Sequence, residues 1–144
     1  MKVGVLTSLD KGSTWSAHAS NPIFEGVPGA WGESIIYCAV AFVGGKYMMW
    51  YTSFIEPLDV DTTLLSIGVA TSEDGFSWER HSSNPVITPD GSPGWNSKKI
   101  LNGEVLLRQD GGLLITAYGA SLEAENPAFP DFTPGRIGLW YSAP

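Results

Sequence analysis

Charge is scarce in this chain, and positive charge is scarcest. Of 144 residues, eight are Lys or Arg and fifteen are Asp or Glu, giving a formal net charge of −7. Phosphate backbones are held mainly by Lys and Arg side chains that displace counterions, so nucleic acid is not an expected partner. Cysteine occurs once, as Cys38, which excludes an internal disulfide and any thiolate cage for a metal. Set in the apolar run Ile35 to Val43, Cys38 reads as a buried, inert thiol. His18 and His81 are the two histidines, and neither has a second ligand at metal-site spacing, so no metal and no cofactor is expected. No segment approaches the ~20 apolar residues that cross a bilayer, so no membrane role is expected. The chain opens Met-Lys-Val-Gly-Val-Leu, directly in what reads as a strand, without an apolar signal core. As written, the expectation is a cytoplasmic protein, or a piece whose leader was lost. Long Ala/Leu/Glu/Lys stretches are also missing, which removes the usual basis for helices.

What remains is a composition for strands and turns. Hydrophobic residues make up 43 % of the chain, beside 17 glycines, 10 prolines and six tryptophans, as many short strands punctuated by turns require. Alternating or β-branched runs predict nine strands, at 2–7, 15–18, 35–43, 46–53, 64–71, 77–81, 100–108, 113–119 and 136–142. Gly44-Gly45 and Asp110-Gly111-Gly112 fall between pairs of these runs, where hairpin turns need positive φ. The stretches from Glu56 to Thr63 and from Glu123 to Gly135 read as longer, Pro-rich and acidic loops.

The chain also repeats itself. Ser8-Leu9-Asp10-Lys11-Gly12-Ser13-Thr14-Trp15 returns as Ser72-Glu73-Asp74-Gly75-Phe76-Ser77-Trp78, and each copy leads to an Asn-Pro pair, Asn21-Pro22 and Asn84-Pro85. Gly4 to Gly68, Asp10 to Asp74 and Trp31 to Trp95 are 64 apart; Trp15 to Trp78 and Asn21 to Asn84 are 63 apart. A third echo, Ile137-Gly138-Leu139-Trp140-Tyr141-Ser142, matches Ile67 to Ser72. Fixed-period self-similarity marks units that stack because none can bury its apolar face alone. Four antiparallel strands per unit at this period predict β-propeller blades, and the nearly continuous apolar run 35–43 predicts a strand covered on both faces. The fold class expected is therefore all-β, with propeller blades in an incomplete ring. The units are strands 3 and 4 of one blade in 1–18, a complete blade in 33–81, and strands 1 to 3 of a further blade in 96–142. Propellers close with about four to eight blades, so the chain is expected either to be a fragment of a longer one or to complete the circle as a homo-oligomer.

The first signature fits S-x-D-x-G-x-T-W at every specified position, the Asp-box pattern, whose Asp accepts turn N–H groups while its Trp packs on the strands. Asp10 and Asp74 are therefore read as structural turn residues. Together with Lys46-Tyr47-Met48-Met49-Trp50-Tyr51-Thr52, Ile67 to Arg80 and Asn84-Pro85-Val86-Ile87, the chain resembles the blade repeat of five-bladed propeller glycosidases of the arabinanase, β-xylosidase and fructosidase-like kind. Its Asp-box is similar to that of the six-bladed sialidases. Only Arg80, Arg108 and Arg136 exist to form a sialidase arginine triad, and Arg80 lies on an outer strand. The glycosidase resemblance implies a carbohydrate substrate and acidic residues on the innermost strands, 35–43 and 100–108. Hydrolysis needs two carboxyl groups about 5 Å apart for retention or about 6.5–9.5 Å for inversion. Where that family pattern often has Asp-Pro, this chain has Tyr37-Cys38 and Asn102-Gly103.

Glu104 is the leading acidic candidate, as general acid, because a carboxylate within Ile100 to Leu107 is costly to bury unless paired or functional. The other reading is an exposed or salt-bridged residue at strand alternation. Glu33, just before the first strand of the complete blade, is the second catalytic candidate. Trp31 and Trp95, which open equivalent loops, are substrate-binding candidates with Tyr37 and Asn102. The equivalent placement of His18 and His81 favours a repeated hydrogen-bonding role, and the in-phase aromatics favour packing between blades. Two functions are carried forward. One is a glycosidase-like module acting on or binding carbohydrate; the alternative is a non-catalytic sugar-binding or assembly module.

Overall fold

A computed structural model describes residues 1–56, 63–89 and 96–120, and the backbone of 135–141. The described chain is all-β, with antiparallel strand pairs and no helix. A two-stranded pair joins β1 (Lys2–Val3) to β4 (Phe24–Glu25), and another joins β2 (Leu6–Thr7) to β3 (Ser16–Ala17). The central sheet is a four-stranded meander of β5 (Ser34–Val43), β6 (Lys46–Phe54), β7 (Ser66–Ser72) and β8 (Glu79–Arg80), in sequence order. The third sheet runs β9 (Lys99–Leu107), β10 (Leu113–Ala120), β11 (Gly135–Tyr141), again with neighbours in sequence paired. Four antiparallel strands in the middle unit, flanked by partial sheets of the same order, make a partial propeller-like arrangement.

Period-2 alternation along β6 explains the stacking. Trp50 faces the third sheet and packs with Ile67, Val69, Ile100, Ile115 and Ala117. Its neighbours Met49 and Tyr51 face the other way and pack with Phe24, Ile35 and Ala70 against the N-terminal strand pairs. The central sheet is thus covered from both sides, as a strand rich in large apolar residues at every position requires. Burying one such side chain contributes about 1.5–3 kcal/mol. Gly68 makes the second packing possible: a Cβ there would lie 2.5 Å from the Trp31 ring and 2.9 Å from that of Tyr51. The N-terminal pairs are pinned further by Arg80, whose guanidinium sits 4.2 Å from the centroid of the Phe24 ring and donates to the Glu25 carbonyl. His18 stacks on Phe76 at 4.0 Å.

The sequence repeat returns as a repeat of hydrogen bonds. Asn21 Oδ1 accepts from Val5 N at 2.8 Å while its Nδ2 donates to Val5 O at 2.8 Å. Asn84 does the same to Val69, at 2.8 Å each way. The side-chain amide therefore takes the place of a neighbouring strand. His18 N donates to Val5 O and His81 N to Val69 O, while each ring Nδ1 accepts from the backbone two residues on, at Ser20 and Ser83. Both Asn-Pro peptides are cis.

Several sequence expectations change here. The run 2–7 is broken into β1 and β2 because each half pairs with a different partner, β4 and β3; β4 itself was not predicted. The run 35–43 is not covered on both faces: from Tyr37 onward β5 is exposed or half-buried. Cys38 is accordingly exposed, not buried, because only the short N-terminal pairs lie on that side of the sheet. Its thiol is still pushed above the ordinary value by the partial burial its surroundings give it. Trp15 is 61 % exposed, whereas its counterpart Trp78 packs against the central core. Much of both predicted long loops, and Ser142 at the end of the last predicted strand, lie outside the described residues.

One buried polar clamp joins the central and third sheets. Thr52 Oγ1 donates to Asn102 Oδ1 at 2.6 Å and accepts from Asn102 N at 2.8 Å, and Asn102 Nδ2 donates to Trp50 O at 3.2 Å. Asn102→Ala leaves a buried hydroxyl and carbonyl short of partners, so an unfolding free energy lower by about 2–3 kcal/mol is expected. Urea denaturation measures it, and a midpoint equal to the parent's would remove Asn102 from this role.

Candidate functional site

The meander gives the stacked sheets two unlike ends. At one end the links are tight: Gly44 and Gly45 carry φ of 60° and 87°, and Gly111 carries 85°. The two signature hairpins are at this end as well. At the other end begin β5, β7 and β9, and there the connection from β6 to β7 is longer. The Leu65–Lys99 bridge and the bond from Ile100 N to Leu65 O, 3.0 Å, hold β9 beside β7 at this end.

The signature carboxylates are engaged within their own turns. Asp10 Oδ1 accepts from Thr14 N at 2.8 Å and from Ser8 Oγ at 2.8 Å, and Oδ2 accepts from Thr14 Oγ1 at 2.7 Å. Asp74 Oδ1 accepts from Phe76 N at 2.8 Å, Ser77 N at 2.7 Å and Ser72 Oγ at 2.9 Å. The second turn is one residue shorter. In the first, Lys11 and Gly12 are both left-handed, φ 58° and 91°; in the second Gly75 alone is, φ 79°. Both tryptophans donate Nε1 to the turn glycine's carbonyl, at 3.0 and 3.1 Å. The N–H of Thr14, with the hydroxyls of Thr14 and Ser8, holds the Asp10 carboxyl down to about 2. The N–H groups of Ser77 and Phe76 push Asp74 down too.

At the open end a second set of polar groups gathers around the start of β5. Glu33 Oε2 accepts from Glu56 N at 3.4 Å, Ser34 Oγ donates to Glu56 Oε1, and Ser53 Oγ donates to Ser34 O at 2.6 Å. Trp31 and Ile55, close to these two glutamates in sequence, line a cavity of about 410 Å³ with Leu64, Ser66, Pro85 and Pro89. The Trp31 ring also packs on Tyr51, and its indole Nε1 is buried without a hydrogen-bond partner among the described residues. Sequence reasoning singled out Trp31 and Glu33 but missed Glu56, which lies past β6 in a stretch that reads only as loop. Its one signal was an acidic residue directly after an apolar strand.

The remaining candidates are dispersed. Tyr37 is 55 % exposed on β5. Asn102 is buried, and its amide is committed to Thr52 and Trp50. Trp95 lies outside the described residues. Glu104 is exposed on β9, so the expense of burial that singled it out does not arise. A β-bulge places Gly103 and Glu104 opposite the single residue Thr116, whose Oγ1 accepts from Glu104 N at 2.9 Å. Val105 packs toward the central sheet, so Glu104, its neighbour in the alternation, lies on the face turned away from it. Glu33 and Glu104 are therefore not brought together across the gap between β5 and β9. Among the described residues no group of three His, Cys, Asp or Glu is placed to hold a metal ion.

No protein-family model matches the chain, and no curated protein does. Solved structures do match its fold. A glycoside hydrolase superposes with a TM-score of 0.64 at 22 % identity, over 98 % of this chain and 35 % of that one. BT0996, in an RGII complex, superposes at 0.65 and 21 %, over 98 % and 35 %. An N-acetylgalactosamine deacetylase from F. plautii in complex with blood group B trisaccharide superposes at 0.66 and 18 %, over 98 % and 41 %. The chain spans less than half the length of each, and at these identities the likeness is one of fold.

The turn carboxylates carry a testable pH dependence. Their depressed values mean that the folded hairpins hold the charged form, so the stabilisation is complete above the ordinary Asp value of 3.8 and is lost as pH falls toward about 2. Acid titration followed by Trp15 and Trp78 fluorescence is expected to show hairpin loosening in that window. Asp10→Asn with Asp74→Asn should remove the step, and an unchanged step would assign it to other carboxylates.

Proposed function

We propose that this chain is a glycosidase-like propeller module that binds a neutral carbohydrate at its open end, beside the start of β5. One observation carries the reading: Glu33, Ser34 and Glu56 cluster at the start of β5, and Trp31 and Ile55, their near neighbours in sequence, wall a cavity with Leu64. A sugar ring presents apolar C–H faces and a rim of hydroxyls. An aromatic and aliphatic wall accepts the first, and carboxylate oxygens accept hydrogen bonds from the second. The net charge of −7 disfavours acidic sugars. The fold shared with carbohydrate-related structures supports the same class of ligand, and the propeller resemblance puts the central axis beside β5 and β9.

A hydrolytic version assigns Glu104 as general acid, on the ground that it stands exposed at a bulge of an innermost strand, where bulges re-aim side chains next to active sites. The second carboxylate of this version comes from another blade or a partner subunit, since Glu33 and Glu104 are not brought together within this chain. Binding is thus the reading this geometry supports best, with hydrolysis reserved for a complete ring.

Calorimetric titration against a panel of neutral oligosaccharides is expected to yield saturable binding. Glu33→Gln with Glu56→Gln should weaken it about tenfold, which is about 1.4 kcal/mol. Absence of binding across the panel, or affinity indifferent to both substitutions, would overturn the proposal. Glu104→Gln should leave the affinity unchanged and abolish turnover of any glycoside that the parent cleaves.

A further inference from the structure

The N-terminal strands leave one edge of their ladder open. Val5 directs its N–H and C=O outward, to Asn21 and His18. In an antiparallel ladder the adjacent residues turn theirs to the opposite edge. For Gly4, whose backbone falls between β1 and β2, no partner occurs among the described residues. In the central unit the counterparts of Gly4 and Leu6 at a spacing of 64 are Gly68 and Ala70. These pair with Tyr51 and Met49 of β6, and β6 in turn pairs with β5. The repeat thus specifies what belongs on the open edge: a strand like β6, backed by one like β5.

The floor in front of that edge is shaped to receive such a hairpin. A cleft of about 330 Å³ runs between Val3, Val5 and Thr7 on one side and Cys38, Val40 and Met49 on the other. Its lining is mostly apolar, and Val40 within it is half exposed. On the opposite face of the central sheet, the corresponding space is filled by β9 and β10, with Val105, Leu113 and Ile115 against Ala41, Met48 and Trp50. Val40 and Val105 are 65 apart and hold equivalent places, one bare and one covered.

We infer that the edge at Gly4 and Leu6 is a β-augmentation site that takes a two-stranded hairpin of this same repeat, its alternate large apolar residues seated over Cys38 and Val40. Main-chain bonds to Gly4 and Leu6 supply affinity and the cleft supplies selection, the division of labour usual for strand addition. This site is separate from the open-end cavity and does not depend on carbohydrate binding.

Cys38, the single cysteine, reports directly on occupancy. The probe is a synthetic peptide of residues 34–54 carrying Cys38→Ser, mixed with the full 144-residue chain. At a peptide concentration about ten times its Kd, maleimide labelling of Cys38 is expected to slow about tenfold, and amide exchange at Gly4 and Leu6 should slow in the same mixture. Val40→Glu, confirmed as folded by circular dichroism, should abolish both effects. Labelling and exchange rates unchanged by the peptide, equal protection by a scrambled peptide, or protection that survives Val40→Glu would each overturn the inference.

Discussion

A sheet whose strands are apolar at consecutive positions has no side it can turn to water, and that constraint governs everything else in this molecule. On β6, Met49, Trp50 and Tyr51 are all buried, and no single layer can cover three consecutive side chains that alternate in direction. The central sheet is consequently held between neighbours, with Trp50 facing one and Tyr51 the other. A glycine sits where the layers press closest, Gly68 beneath the Trp31 ring. Polar bonds also cross between the layers, one set buried at Thr52 and one exposed at Arg80. Thr52 with Asn102 joins one pair of sheets, and Arg80 with Glu25 the other. Stability in such a stack is roughly a sum of unit terms and neighbour terms, so a unit with one neighbour incomplete is weaker on that side.

That asymmetry decides what could be read from the sequence. Strand order, the glycine hairpins and the pairing of the two signatures were legible, because period-2 runs, positive-φ residues and offsets of 63 and 64 are local facts. The exposure of Cys38, Val40 and Phe42 was not. Their apolar run shows that a cover is called for, but whether strands of a neighbouring unit lie there is a non-local matter. Trp15 makes the same point against Trp78: identical turn chemistry, identical indole bonds, and opposite exposure, because only the second lies over a complete sheet. The short strand Phe24–Glu25 escaped prediction because two residues carry no periodicity, yet its Phe24 is a core residue.

The candidate site was legible in part for similar reasons. Trp31 and Glu33 stood out by position, as residues just before the strand that became β5, and the structure sets them at the open end. Asn102 was found by the same positional logic, but its environment differs: it meets Thr52 across the sheets, and a buried amide with partners at hand makes those bonds internally. Glu104 illustrates the reverse case. A carboxylate in an apolar string looks expensive, but the bulge at Gly103 and Glu104 shifts the alternation so that it reaches solvent. Glu56 could not be singled out from sequence because its significance lies in reaching Ser34 and Glu33, more than twenty residues earlier.

The two ends of the stack also differ in how freely they can change. At the tight end, each signature turn requires a carboxylate, a hydroxyl and a left-handed glycine in fixed relation, and the one-residue difference between the copies is accommodated only by removing the left-handed position held by Lys11. Such turns constrain nearly every residue they contain. At the open end the backbone makes few demands beyond starting and ending strands, so side chains there are free to be selected for what they touch. Glu33, Ser34 and Glu56 meet one another across separate strand ends, not through any turn motif. Polar side chains that the turn geometry does not dictate are the ones left to engage a ligand, and it is on that imbalance between the two ends that the functional reading rests.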